Sequence, residues 1–103
     1  MSNELFAEII SMLGEEIEAS QMFGKPCLKF RKKAFLAHFK GDMVFKLEKE
    51  ELAGLLIKYP GSQNWDPSGK GRAMKEWLQV PSEFSKDYTH LAQNALVYLK
   101  KSL

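Results

Sequence analysis

Residues 26–47 alternate apolar and polar side chains with a period of two, and no other segment carries so strong a pattern. That period is typical of strands with one buried face. The three short aromatic-rich runs are separated by residues suited to tight turns, first at Lys32 and Lys33 and then at Gly41 and Asp42. Because tight turns join antiparallel neighbours, the segment predicts an antiparallel meander.

The same alternation predicts which side chains share a face of the sheet. Leu28 and Phe30 point one way in the first run, and Phe35 and Phe39, with Ala37 between them, share one face in the second. We expect helices to cover this apolar side. The basic residues are expected on the opposite face: Lys29, Arg31, His38, Lys40 and Lys46.

Three other segments have helical periodicity, at residues 5–13, 48–58 and 85–99. Residues 17–23 predict a further strand, and residues 59–72 predict a long surface loop with two prolines and three glycines. Residues 74–80 fit either a strand or a helical stripe. Strands grouped together with helices around them predict an α+β fold.

Length and charge narrow the classes of function. A chain of 103 residues has room for one domain. The formal net charge of +2 is far below the basic excess of a dedicated nucleic-acid-binding domain. The single cysteine, Cys27, excludes an intramolecular disulfide and suits a reducing compartment. Residues 1–14 lack the features of a signal peptide or membrane span, so we expect a cytoplasmic protein.

Candidate catalytic and metal-binding residues are few. Cys27 and His38 could form a nucleophile and base on adjacent strands, but the sequence indicates no third residue that would orient the histidine. His38 and His90 lie in separate elements without ligand spacing. We therefore expect no enzymatic activity, no metal and no cofactor.

A glycine-rich segment, Gly69, Lys70, Gly71 and Arg72, is similar to a phosphate-binding loop. It lacks the Ser or Thr that a P-loop places directly after the lysine, and Asn64 stands where the earlier glycine belongs. A mobile loop tip with solvated cations is the favoured interpretation.

The basic face is the strongest candidate binding site. If residues 74–80 form a strand, Lys75 and Trp77 fall near the cations on the side opposite Leu78. Aromatic rings among cations suit single-stranded nucleic acid or an acidic peptide. The alternative is a solvated sheet face with Trp77 packed under the long loop, and we favour it. The candidate binding residues are Lys29, Arg31, His38, Lys40, Arg72 and Trp77.

Three motifs in sequence order suggest a family. They are Met22, Phe23 and Gly24 after the first helix, GDMVFK at residues 41–46, and GRAMKEW at residues 71–77 running into Val80 and Pro81. In this arrangement the chain resembles the TfoX N-terminal domain (TfoX/Sxy) family over about residues 5–99. The resemblance implies an α+β domain akin to the YjbR and secretion-chaperone-like folds. It makes residues 74–80 a strand, which predicts about five strands in the order α-β-β-β-β-α-β-α with helices on one face.

The resemblance also shapes the expected function. TfoX-type competence regulators carry a C-terminal helical domain, whereas this sequence ends at Leu103, so we expect a single TfoX N-terminal-like domain over residues 1–103. Many members have a second glycine after the Met-Phe-Gly motif, where this chain has Lys25. The family has no agreed catalytic residues. We expect structural roles for its motif residues Met22, Phe23, Gly24, Gly71 and Trp77.

The leading prediction is a non-enzymatic binding or regulatory module, tied to competence or transcription through protein contacts. The alternative is a nucleic-acid-binding accessory protein that uses the basic face and Trp77. An enzyme or small-molecule binder built on the long loop ranks third. We expect a protein partner or self-association, the latter through the exposed edge strand at residues 17–23, and no membrane or small-molecule ligand.

Overall fold

The computed structural model describes residues 2–14, 16–22, 24–71 and 73–102. In these ranges the chain forms three α-helices and one six-stranded antiparallel sheet. The helices are α1 (Ser2–Leu13), α2 (Lys49–Lys58) and α3 (Tyr88–Ser102). The strands are β1 (Ile17–Met22), β2 (Lys25–Phe30), β3 (Lys33–Phe39), β4 (Asp42–Lys46), β5 (Gln63–Asn64) and β6 (Trp77–Val80). A 3-10 helix (Ser82–Asp87) precedes α3.

The sheet has the order β1-β2-β3-β4-β6-β5, which confirms the predicted α+β class. The meander over residues 26–47 is present as β2, β3 and β4. A sixth strand, β5, lies inside the segment predicted as a loop, and it contains only Gln63 and Asn64. The strand predicted at residues 74–80 occupies its second half, from Trp77 to Val80.

The larger core lies between the sheet and the helices, and we call it the helix-side core. Its strand residues include Leu28 and Phe30 of β2 and Phe45 of β4, all buried. Apolar residues of α1 and α3 complete it, for example Ile9 and Leu91. These helices bury one apolar stripe each, as their spacing predicts.

A β-bulge lies between β2 and β3. Leu28 pairs with Leu36, but Lys29 pairs with Ala34, so Phe35 is an extra residue on β3. Because side chains alternate along a strand, one extra residue exchanges the faces of everything that follows it.

The bulge overturns part of the predicted face assignment. Phe35 and Leu36 both join the helix-side core, whereas Ala37 and Phe39 lie on the opposite face of the sheet. The prediction that Phe35, Ala37 and Phe39 share the helix-covered face is therefore wrong. The alternation is interrupted from Ala34 to Phe39, where every residue except His38 is apolar, so the sequence pattern does not reveal the bulge.

The opposite face carries a second, smaller core, which we call the tryptophan cluster. Its buried residues are Cys27, Ala37, Phe39, Val44, Trp65 and Trp77. Half-buried Met22, Ala34 and Met74 pack against it. The expected open basic face is thus covered, because the segment before β6 folds back and buries Trp65 against the sheet.

Hydrogen bonds from two tyrosines link α3 to β6 and the end of α2 to the 3-10 helix. The Tyr88 hydroxyl donates to the carbonyl of Val80 at 2.7 Å, and the Tyr59 hydroxyl donates to Asp87 at 2.7 Å. Burial, reinforced by the charge of Asp42, raises the pKa of Tyr88 to about 12. Burial, reinforced by the hydrogen bond to Asp87, raises the pKa of Tyr59 to about 12.

These raised pKa values predict a loss of stability in alkali. The unfolded chain releases its phenolic protons near pH 10, whereas the folded chain holds them to about pH 12. The tyrosine contribution is therefore constant below about pH 10 and falls between about pH 10 and pH 12. Urea unfolding of wild type and Tyr88→Phe at several pH values checks this. Between about pH 10 and pH 12 we expect the free energy of unfolding of the variant to fall by on the order of 1–2 kcal/mol less than that of wild type. Equal losses in the two proteins would contradict the assignment to Tyr88.

Candidate functional site

Trp65 holds the covering segment to the sheet. Its backbone N–H donates to the Trp77 carbonyl at 2.9 Å, and its backbone carbonyl accepts the N–H of Met74 at 2.8 Å. Its fully buried ring lies 5.5 Å from that of Phe39 and 5.3 Å from that of Trp77, measured between centroids. These backbone hydrogen bonds and ring contacts together hold Trp65 against Met74 and the start of β6.

Beside this cluster lies an open cavity of 390 Å³, which we call the lysine pocket. Its lining residues are Lys46, Lys49, Met74, Lys75, Glu76 and Trp77. Lys46 is the cross-strand partner of Trp77, so both side chains lie on the same face of the sheet. The Leu47 N–H donates to the Glu76 carbonyl at 2.8 Å, which fixes the chain on both sides of the cavity.

The lysine pocket carries a net positive charge. Its lining includes three lysines and one glutamate, and no ion pair joins these lysines to a carboxylate of the described residues. Burial and the nearby charge of Glu76 raise the pKa of the Tyr98 hydroxyl. Three lysines around one cavity attract an anionic ligand.

The backbone N–H groups of the glycine-rich segment bind a carboxylate of the chain itself. The carboxylate of Asp66 accepts the backbone N–H groups of Ser68, Gly69 and Gly71 at 3.1, 3.0 and 2.8 Å. Gly69 and Gly71 have φ of 68° and 77°, in the left-handed region that glycine adopts readily. The donors that a phosphate would use are therefore directed at the chain's own carboxylate.

The predicted binding residues do not form one site. Lys29 and Trp77 lie on the face of the tryptophan cluster, and the Lys40 ammonium lies 5.3 Å from the centre of the Phe39 ring. Arg31 occupies the β2–β3 turn with φ of 50°, one residue before the predicted turn. Arg72 lies outside the described residues, as does the motif residue Phe23.

His38 is not on the predicted face. It pairs with Met43, which belongs to the helix-side core, so the two side chains share that side of the sheet. Cys27 is on the other side in the tryptophan cluster, where burial raises its pKa. A sheet separates the two side chains, so the Cys27–His38 pair considered from the sequence does not form.

Lys49, Met74 and Glu76 of the lysine pocket were missed as site residues in the sequence. Lys49 begins α2, and its position before Glu50 resembles an ordinary solvated helix start. Only the pairing of β4 with β6 brings it to residues 74–77. Lys46, Lys75 and Trp77 are the members that the predicted basic face already contained.

Within the described residues, no group of three or more His, Cys, Asp or Glu side chains could hold a metal ion. The helices described here are too short or too polar to cross a membrane. No protein-family model, curated protein or solved structure matches the chain. The structure thus defines an α+β protein with a basic pocket, and its resemblance to the TfoX N-terminal domain family stays a prediction.

Proposed function

We propose that this chain is a non-enzymatic binding module whose lysine pocket takes an acidic segment of a partner protein. The observation that carries the proposal is the convergence of Lys46, Lys49 and Lys75 on one open cavity. Carboxylates of a peptide would pair with these ammonium groups. The thioether of half-buried Met74 offers an adaptable apolar contact to a neighbouring side chain of the peptide.

The exposure of Trp77 favours a peptide over single-stranded nucleic acid. Base stacking needs an open ring face, whereas Trp77 is 8% exposed and lies against Trp65. A peptide needs only the ammonium groups and a shallow apolar contact. Nucleic acid therefore remains the second candidate, supported by the positive charge alone.

The resemblance to the TfoX N-terminal domain family supports a regulatory role for this binding. In that role the chain acts through contact with another protein, and the acidic segment belongs to the regulated partner. The link to competence or transcription rests on the resemblance only.

A labelled acidic peptide tests the lysine pocket. The probe is a fluorescein-labelled peptide of about twelve alternating glutamates and leucines, followed by anisotropy at about 50 mM salt, where exposed charges are weakly screened. We expect the triple variant Lys46→Gln, Lys49→Gln, Lys75→Gln to bind at least about tenfold more weakly than wild type. The cause is loss of the converging positive charge.

The matched control removes three exposed lysines elsewhere, by Lys32→Gln, Lys33→Gln and Lys86→Gln. It changes the net charge equally, so we expect its affinity to stay within about twofold of wild type. Equal weakening in both triple variants would refute a defined pocket. An oligothymidine bound more tightly than the peptide, and released by the pocket variant, would favour the nucleic-acid function instead.

A further inference from the structure

The two edges of the sheet differ in length and exposure. One edge is β5, which has two residues. The other is β1, which has six residues, four of them exposed in succession at positions 18–21. Natural sheets usually protect an edge with lysine, proline, a bulge or a very short strand. β1 has the sequence IEASQM and contains no lysine or proline.

The register identifies which backbone groups of β1 face outward. Met22 pairs with Lys25 across a two-residue connection, which makes that pair hydrogen-bonded. Gln21 is opposite Pro26, which has no N–H and so fits a non-hydrogen-bonded pair. The pattern alternates, so the outward N–H and C=O groups belong to Ile17, Ala19 and Gln21.

We infer that β1 is the interface of a symmetric dimer, in which it pairs antiparallel with β1 of a second copy of this chain. Outward groups occur at every second residue, which restricts the register to pairs of these residues. Centring the two-fold axis on Ala19 places the smallest side chain of the strand at the axis and joins all three outward residues. About six backbone hydrogen bonds then link the two sheets.

The charge of β1 suits a second copy in this register. Glu18 is the one charged residue of the strand, and it comes to lie opposite Ser20 of the second copy rather than opposite another carboxylate. Ile17 comes to lie opposite Gln21 of the second copy. A strand with several charges of one sign would repel its own copy, whereas this one does not.

The dimer is closed and leaves the lysine pocket free. A contact that uses the same strand on both copies consumes both long edges, and the remaining β5 edges are too short to propagate a filament. Lys46 is on β4, which β2 and β3 separate from β1. Each dimer would therefore present two pockets, a binding mode that adds avidity toward a partner with two acidic segments.

Sedimentation equilibrium of the full chain tests the dimer. An interface of one short strand is small, so we expect a dissociation constant in the micromolar range and a mass that rises from one chain to two between about 1 µM and 1 mM. A mass that stays at one chain at about 1 mM overturns the inference. The edge of β1 would then be available to a different protein. A mass that rises beyond two chains overturns the closed symmetry.

Ala19→Pro identifies the strand. Proline removes an outward N–H, but residue 19 is in a non-hydrogen-bonded pair with Leu28, so the bonds between β1 and β2 remain. We expect the variant to keep its circular dichroism spectrum and to remain a monomer at about one hundred times the wild-type dissociation constant. A folded variant that dimerises as wild type places the interface elsewhere and overturns the inference.

Ser20→Lys tests the register of the proposed dimer, and it also tests the β1 interface itself if the proline variant fails to fold. In the proposed register each new lysine lies opposite Glu18 of the second copy, so two ion pairs form per dimer. We expect the dissociation constant to fall by about threefold to tenfold at low salt, and this gain to shrink at about 0.5 M salt. An unchanged or weaker dimer overturns the register.

Discussion

Trp65→Ala is expected to lower the free energy of unfolding by about 3–5 kcal/mol, the range for removing a large buried aromatic side chain. The side chain is fully buried and is the largest fully buried side chain among the described residues. Its loss leaves a cavity between Phe39 and Trp77, whose rings now contact it. Since small domains have only about 5–15 kcal/mol in total, this substitution removes a large share of the stability.

Urea unfolding followed by far-ultraviolet circular dichroism measures this effect, at one fixed protein concentration because dimerisation would stabilise the folded state. Ile57→Ala is the control, since Ile57 is 81% exposed and its change should stay within about 0.5 kcal/mol. A Trp65→Ala variant as stable as the control would mean that Trp65 does not cover the sheet.

The elements predicted from the sequence were those with a strong local period. The helical spacing of residues 85–99 and the alternation of residues 43–47 each predict which side chains face the helix-side core. The burial of Phe45 and Leu91 in the helix-side core follows from these periods alone. The α+β class was accessible for the same reason.

The second core was not predictable in this way, because its causes are not periodic. The bulge at Phe35 places Phe39 on the other face of the sheet, and no residue type in this strand signals the bulge. Trp65 lies in a segment rich in glycine and proline, and that composition predicts exposure. The backbone pairing of Trp65 with Met74 and Trp77, which buries it, is a contact between distant residues.

The candidate site was predicted in part for a related reason. Alternation within each strand predicts Lys46 and Trp77 on one face, and the pairing of β4 with β6 places them opposite each other. His38 was misplaced by the bulge, and Lys49 belongs to a different element from the strands. The positive charge on the sheet was therefore predictable, but the grouping of lysines around one cavity depends on tertiary structure.

The position of Phe39 gives the second large effect. Phe39→Ala is expected to lower the free energy of unfolding by about 3–4 kcal/mol, because the ring is 6% exposed and packs edge-on against Trp65. The sequence alternation predicts a similar loss through contact with the helices. The size of the loss therefore shows that Phe39 is buried. A second measurement must show whether it packs against Trp65 or against the helices.

A double-mutant cycle with the milder changes Phe39→Leu and Trp65→Phe supplies that measurement. Because the two rings are in contact, we expect a coupling energy of about 0.5–1.5 kcal/mol between them. The matched cycle uses Phe45→Leu with Trp65→Phe, and it should give less than about 0.5 kcal/mol, since Phe45 lies on the other face against Tyr88. No coupling in either cycle would restore the face assignment that alternation predicts, because Phe39 and Phe45 would then share the helix-covered side away from Trp65, and the basic face would be open.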